Sequence, residues 1–234
     1  MKPHRAPDQP AFVLHARPYR EQHWLLDLLT PDQGRLRAVA RDPRPETFRR
    51  LRIRLSGNTE LKRLDDWQYV EPFRLGQGNA LLQALYLNEL CVRLVPPFQA
   101  GETFFGVYTS SLLSLADPAR QTPTLRFFER RLLEWVGAGI DYRQTLDSGD
   151  WIVADHEYRF DPAFGFCARG LQRSIPGQAI LAMAENDWLN PMAQSWGEAV
   201  HRARLDHVLE GRSLVSRQWL SSAQSDTGQV KRQS

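Results

Sequence analysis

The sequence predicts an α+β protein in which a small N-terminal β-barrel precedes a mainly α-helical domain with a small irregular insertion. Three observations predict it. Residues 1–74 fall into five short runs divided by turn signals, several alternating apolar and polar residues with a period of two. After Gly78 leucines recur at helical spacing. Between about 140 and 178 both periods lapse in a stretch rich in Gly, Pro and Asp. The expected domains are therefore 1–74 and 75–234, with the insertion at about 140–178.

The strands are justified in order. Ala11–Arg17 is a short apolar run, and Pro18 is expected to end it. Gln22–Thr30 follows, closed by Pro31-Asp32-Gln33-Gly34, a strong turn signal. In Gly34–Arg41 the residues Leu36, Ala38 and Ala40 share one face, with Arg35, Arg37, Val39 and Arg41 on the other. Arg50–Ser56 alternates more cleanly, with Leu51, Ile53 and Leu55 inward and Arg50, Arg52 and Arg54 outward. Leu61–Val70 supplies the fifth strand. Five short strands joined by tight turns fit an OB-fold, and an SH3-like barrel has similar statistics.

The helices follow. Asn79 is placed as the N-cap of Ala80–Val95, which Pro96-Pro97 stops. Glu102–Leu115 and Thr124–Val136 are amphipathic, the latter ended by Gly137 and Gly139. Short strands are expected around Tyr158–Phe160. Helix resumes over Pro191–Leu209, and Ser213–Leu220 has room for a last turn or two.

Composition excludes several classes. Two cysteines, Cys91 and Cys167, supply neither a disulfide framework nor a four-cysteine zinc site, so no metal is expected. No run approaches the ~18 apolar residues of a membrane span, and the first residues lack the apolar stretch of a signal peptide, so a cytoplasmic protein is expected. No P-loop, G-x-G-x-x-G or G-x-S-x-G occurs, and the acidic cluster Asp150, Asp155, His156, Glu157 lacks a metal-ligand spacing. No enzyme and no cofactor are expected; a metal-dependent nuclease built on that cluster is the enzymatic rival.

Charge points instead to nucleic acid. The net charge is +3, but residues 1–80 hold 15 Lys/Arg against 10 Asp/Glu, and residues 81–234 hold 15 against 17. Eight arginines lie between Arg35 and Arg54. Alternate residues on a strand face sit roughly 6.7 Å apart, so Arg50, Arg52 and Arg54 can each meet a different phosphate. With Arg35, Arg37 and Arg41 on a neighbouring strand they would form a basic patch, although a solvated outer barrel face explains them equally well. On the helix Thr124–Val136, Arg126 and Arg130 are i,i+4 neighbours beside apolar residues, an arrangement suited to an acidic peptide. From the residues alone, a core-packed helix with solvated arginines is the simpler account.

Five segments together resemble the RecO family of recombination-mediator DNA-repair proteins. They are Ala11-Phe-Val-Leu-His-Ala-Arg-Pro-Tyr-Arg-Glu, Leu28-Leu-Thr-Pro-Asp-Gln-Gly-Arg-Leu-Arg-Ala-Val-Ala-Arg, Tyr86-Leu-Asn-Glu-Leu, Leu125-Arg-Phe-Phe-Glu-Arg-Arg-Leu-Leu and Leu209-Glu-Gly-Arg-Ser-Leu-Val-Ser-Arg. Their order and spacing carry the resemblance from residue 11 to 217. It implies an OB-fold, then a helical domain with a zinc-finger-like insertion. It implies binding to single- and double-stranded DNA, annealing of complementary strands, and work with RecR to load RecA. It also implies docking on the acidic C-terminal tail of single-stranded-DNA-binding protein (SSB), for which the family's arginine falls on Arg126, with Arg130 beside it. The chain is then expected to be nucleoid-associated and monomeric when alone. Two features depart from the family. Only Cys167 lies in the insertion, and the basic loop before the fourth strand shrinks to Pro45-Glu-Thr-Phe-Arg. The rival binding reading is an RNA-binding OB protein of translation or ribosome assembly.

Overall fold

The computed structural model describes residues 8–70, 75–168, 174–220 and 222. Its strands β1 (Gln9–Arg20), β2 (His23–Thr30), β3 (Gly34–Arg41), β4 (Leu51–Ser56) and β5 (Leu61–Tyr69) close into a barrel in the order β1-β2-β3-β5-β4. The fold is α+β, with an OB-like barrel followed by a helical region. Neighbouring strands are antiparallel except β3 and β5, which are parallel. Leu36, Ala38, Ala40, Leu51, Ile53 and Leu55 fill the interior, none more than 5% exposed. Alternation in β3 and β4 therefore reports the barrel wall faithfully.

Strand β1 differs from expectation in running through Pro18 to Arg20. It pairs with β4 only over Gln9–Ala11, while Pro18 stands opposite Trp24 of β2 beside a register shift. Proline is tolerated there because its missing N–H falls at an irregularity of the ladder. The strand's inner half is buried on both faces. Val13 points into the barrel, while Phe12 meets Phe105 and Tyr108 with ring centroids 5.4 and 5.0 Å away. Those rings belong to α2 (Glu102–Ser114), and α1 (Asn79–Leu94) adds a buried polar lock. Asn88 Nδ2 donates to the Leu14 carbonyl at 2.8 Å and Asn88 Oδ1 accepts from the Tyr108 hydroxyl at 2.5 Å.

Because α1 and α2 pack on the barrel, they group with it as a compact unit. One compact unit comprises Met1–Ala116 with Leu214–Ser234; the other is Asp117–Ser213. In the first unit, Glu89 of α1 starts the short helix 215–220. Its carboxylate accepts the amides of Val215 and Ser216 and the Ser216 hydroxyl, at 3.1, 2.8 and 2.6 Å. The helix begins one residue earlier than expected, at Asn79, so Gly78 rather than Asn79 occupies the N-cap position. Cys91 is fully buried in α1, where burial pushes its thiol well above the usual range.

The second unit begins with a 3₁₀ turn, Pro118–Arg120, which leads into α3 (Gln121–Trp135). Pro123 therefore lies in the first turn, where no intrahelical donor is required of it. The irregular insertion holds a three-stranded sheet of β6 (Glu157–Asp161), β7 (Gly165–Ala168) and β8 (Ile175–Pro176), in the order β7-β6-β8. Helix α4 (Gly177–Ala184), not foreseen from the sequence, follows at once, and then α5 (Pro191–Val208). Hydrogen bonds fasten the β6–β7 turn. Asp161 Oδ1 accepts the amides of Ala163 and Phe164, and Arg204 of α5 donates to the Pro162 and Ala163 carbonyls, both at 2.7 Å. Among the described residues no helix is long and apolar enough to cross a membrane.

Candidate nucleic-acid interface

The six barrel arginines do not form one patch. Strand β5 lies between β3 and β4, so Arg35, Arg37 and Arg41 are not on a strand neighbouring Arg50, Arg52 and Arg54. The expectation of adjacent strands is corrected by this order, which follows from the crossover that brings β5 parallel to β3. The intervening strand also carries acid on its outer face, at Asp65 and Asp66.

Three of the six face solvent and three are drawn inward. Arg37, Arg41 and Arg52 are exposed, while Arg50 is half-buried. Arg54 is held between Asp8, at 2.8 Å, and Asp66, at 3.6 Å, with 19% of its side chain exposed. Arg35 is tied to buried Asp27 at 3.2 Å and to the Val95 carbonyl at 2.8 Å. Asp27 also meets Arg37 Nε at 3.4 Å, directly across the β2–β3 ladder. Most of the Arg37 side chain nevertheless remains in solvent, at 57% exposure.

A different set of cations converges. A groove of about 920 Å³ is lined by Arg20, Arg41, Lys62 and Arg63, with Tyr19, His23, Asn58 and Asp65 among its other walls. Each strand contributes through its end. β1 delivers Tyr19 and Arg20 because it continues past Pro18, β3 ends on Arg41, and β5 begins with Leu61 and Lys62. The parallel pairing sets Ala38 against Lys62 and Val39 against Arg63. Of these cations, sequence reasoning singles out Arg41 alone. Arg20 is hidden behind a proline that reads as a strand end, and Lys62-Arg63 gains meaning only from the strand order.

Asp65 is the acid of the groove. Burial pushes its carboxyl up, but hydrogen bonds from Arg63 and Ser56 and the charges of Arg63 and Arg54 outweigh this and hold it below the usual carboxylate range. Arg63 Nε donates to it at 2.6 Å while the Arg63 side chain stays 73% exposed. Four cations against one ionised acid leave the groove positive, and low-dielectric walls strengthen that field. Nearby aromatics carry cations: the Arg20 guanidinium lies 5.2 Å from the Tyr19 ring centroid, and that of Arg44 lies 4.7 Å from Trp24.

In the second unit, Arg126 and Arg130 are not solvated. Arg126 is 8% exposed and meets buried Glu129 at 3.3 Å. Glu129 in turn contacts His201 Nδ1 at 3.1 Å, and His201 Nε2 contacts the Tyr142 hydroxyl at 2.7 Å. Among the described residues the buried Nε of Arg126 has no hydrogen-bond acceptor. Arg130 donates to the Met183 and Ala184 carbonyls at 2.5 and 3.1 Å, ion-pairs with Glu134, and lies 4.8 Å from the Tyr142 ring centroid. Arg126 and Arg130 are therefore built into the unit. Among the described residues no group of three or more His, Cys, Asp or Glu side chains could hold a metal ion. In the Asp150–Glu157 cluster, Asp150 accepts from Ser148 and Glu157 from Ser174.

The barrel, its strand order and the helical region carrying a small sheet define a protein of the OB-barrel class with a helical C-terminal part. Comparison with known families makes the assignment specific. Residues 5–73 match the model described as recombination protein O N terminal, and residues 75–181 match that described as recombination protein O C terminal. Relatives named DNA repair protein RecO include one from Stutzerimonas stutzeri, 40% identical over 225 residues, covering 92% of this chain and 94% of its own. One from Pseudomonas putida is 37% identical over 221 residues, covering 90% and 95%. Another, from Hahella chejuensis, is 36% identical over 231 residues, covering 94% and 97%. The chain belongs to the RecO family of DNA repair and recombination proteins.

Proposed function

We propose that this chain is a non-catalytic recombination mediator that binds single- and double-stranded DNA along the groove of Arg20, Arg41, Lys62 and Arg63. It anneals complementary strands and, with RecR, helps load RecA onto DNA coated by SSB. The convergence of four cations from three strand ends carries the DNA-binding part of this reading. Such a surface releases counterions from a phosphate backbone regardless of sequence. Arg37, Arg50 and Arg52 extend the field around the barrel, and Arg35 and Arg54 contribute through the walls they hold. Screening phosphate repulsion between two strands is all that annealing requires, so no nucleotide triphosphate is consumed.

Docking on the acidic SSB tail falls to Arg126, with Arg130 beside it. Support comes from the unaccepted Nε of Arg126, since a buried guanidinium donor without a partner favours a carboxylate. Tethering to coated strands raises the effective concentration of the barrel at its substrate. The test is annealing of complementary strands pre-coated with SSB. Salt-sensitive annealing without nucleotide, stimulated by the coat, is expected. Absence of annealing on both bare and coated strands would overturn the reading, and preference for RNA in competition would redirect it.

A further inference from the structure

Beside the basic groove lies a second, smaller cavity of about 320 Å³, lined by Tyr19, Leu25, Arg37, Leu61, Pro97 and Phe98 among others. It shares Tyr19 and Leu61 with the groove, so the two are continuous along one wall of the first unit. Its character is different. Tyr19, Leu61 and Phe98 are 41%, 38% and 41% exposed, an unusual concentration of large apolar side chains in solvent. Arg37 stands at its lining with 57% of its side chain exposed.

Phe98 is also conformationally costly. Its φ of +57° lies in the left-handed region, which a bulky residue rarely adopts. The surrounding chain enforces it: the Phe98 amide donates to the Arg35 carbonyl at 2.9 Å, and Pro97 bridges to Gly34 and Arg35. Gly34 lets the chain come this close, because a Cβ there would run into the Gln99 carbonyl. Strain that displays an aromatic ring in solvent rather than burying it singles this position out as a candidate site.

We infer that this cavity is a base-capture pocket, taking one unstacked nucleobase of a single strand whose phosphates run in the adjoining groove. Phe98 and Tyr19 offer ring faces for stacking, which every base can use, so capture is indifferent to sequence. Arg37 supplies donors for base oxygens and nitrogens and complements the negative strand. The cavity falls at the small end of ligand sites, roughly 300–1,000 Å³, which suits one base rather than a folded partner. This rests on the proposed DNA-binding function and extends it. Holding a base out of the stack would present strands in an open conformation for pairing.

The experiment compares binding of the full chain to oligonucleotides of equal phosphate number, one intact and one with abasic positions, and follows a single 2-aminopurine in the intact strand. Intact DNA is expected to bind about 5- to 150-fold tighter, the range of one stacked base. Phe98→Ala is expected to erase that preference and the 2-aminopurine response while leaving the salt dependence of binding unchanged. Tyr19→Ala, which also removes a wall of the groove, is expected to erase the preference as well. Circular dichroism of both variants guards against misfolding, and Phe98→Trp is expected to keep the preference if Phe98→Ala does not fold. Equal binding of intact and abasic strands with a normal salt dependence would overturn the pocket and leave the groove standing. Loss of binding to both strands in the wild-type chain would overturn the groove reading itself. Self-association abolished by Phe98→Ala, with base preference intact, would reassign the cavity to a second copy of the chain.

Discussion

The Nε of Arg35, on β3, donates to the carbonyl oxygen of Val95, the C-cap of α1, at 2.8 Å. The same side chain reaches Asp27 of β2 with Nη1, at 3.2 Å. One guanidinium thus satisfies a helix-terminal carbonyl and a buried carboxylate together. Arg35→Ala is expected to cost about 1.5–3 kcal/mol of stability, the range for charge-assisted hydrogen bonds, because Asp27 keeps only weaker partners. Urea denaturation of the variant measures it. DNA affinity of the folded fraction should change little, in contrast to Arg41→Ala, and a large affinity loss with unchanged stability would contradict this division of labour.

The groove cations have a thermodynamic signature of their own. Replacing Arg41 and Lys62 together by Ala is expected to reduce the slope of log K against log salt for single-stranded DNA, by about 0.7 for each phosphate that the groove no longer neutralises. Arg54→Ala is expected to leave that slope nearly unchanged, since Asp8 and Asp66 already flank its charge. Fluorescence anisotropy across a salt series separates the two. Equal slopes for all three proteins would remove the groove from the DNA path.

How much of this is legible in sequence depends on the range of the interactions. The inward set Leu36, Ala38, Ala40 and Leu51, Ile53, Leu55 is readable because alternation is a property of each strand alone. The order β3-β5-β4 is not, because pairing partners separated by a crossover leave no local trace, and with it goes the idea of one arginine face. Pro18 misleads for a related reason: whether proline ends a strand depends on what the neighbouring strand requires at that position. Helix α4 escapes because eight residues after an irregular stretch show little period. Arg126 looks solvent-facing from its spacing, yet it is buried against Glu129, which is itself held by His201 from a helix far along the chain.

That enclosure makes Arg126 a demanding position to test. Removing it leaves Glu129 buried beside a neutral imidazole, and breaking a buried pair costs about 3–5 kcal/mol. Arg126→Ala is therefore expected to lower the thermal midpoint as well as any affinity for an acidic peptide. Arg126→Lys keeps the charge near Glu129 but loses the planar fork. We expect it to retain most of the stability and to bind an acidic, aromatic-tipped tail peptide at least tenfold more weakly, measured by calorimetry, with DNA binding intact. Wild-type peptide affinity in the lysine variant would show that the fork is not what the tail engages.

His201 gives the second unit a pH dependence of definite sign. Burial lowers its pKa below the ordinary 6.5, and the hydrogen bond and charge of Glu129 oppose this without cancelling it, while Arg126 and Arg130 add to the lowering. The unfolded chain then takes up a proton near pH 6.5 that the folded chain still refuses, so the contribution to stability is complete above that pH. It is lost as pH falls from about 6.5 toward the lower folded value, at up to about 1.4 kcal/mol per pH unit. Thermal midpoints between pH 7.5 and 5 should fall more steeply for the wild type than for His201→Gln, which cannot be protonated and can still bridge Tyr142 and Glu129. Parallel profiles for the two proteins, or a wild-type midpoint that rises on acidification, would mean that His201 carries its proton in the folded unit and that the Arg126–Glu129–His201–Tyr142 chain is held together as a charged network.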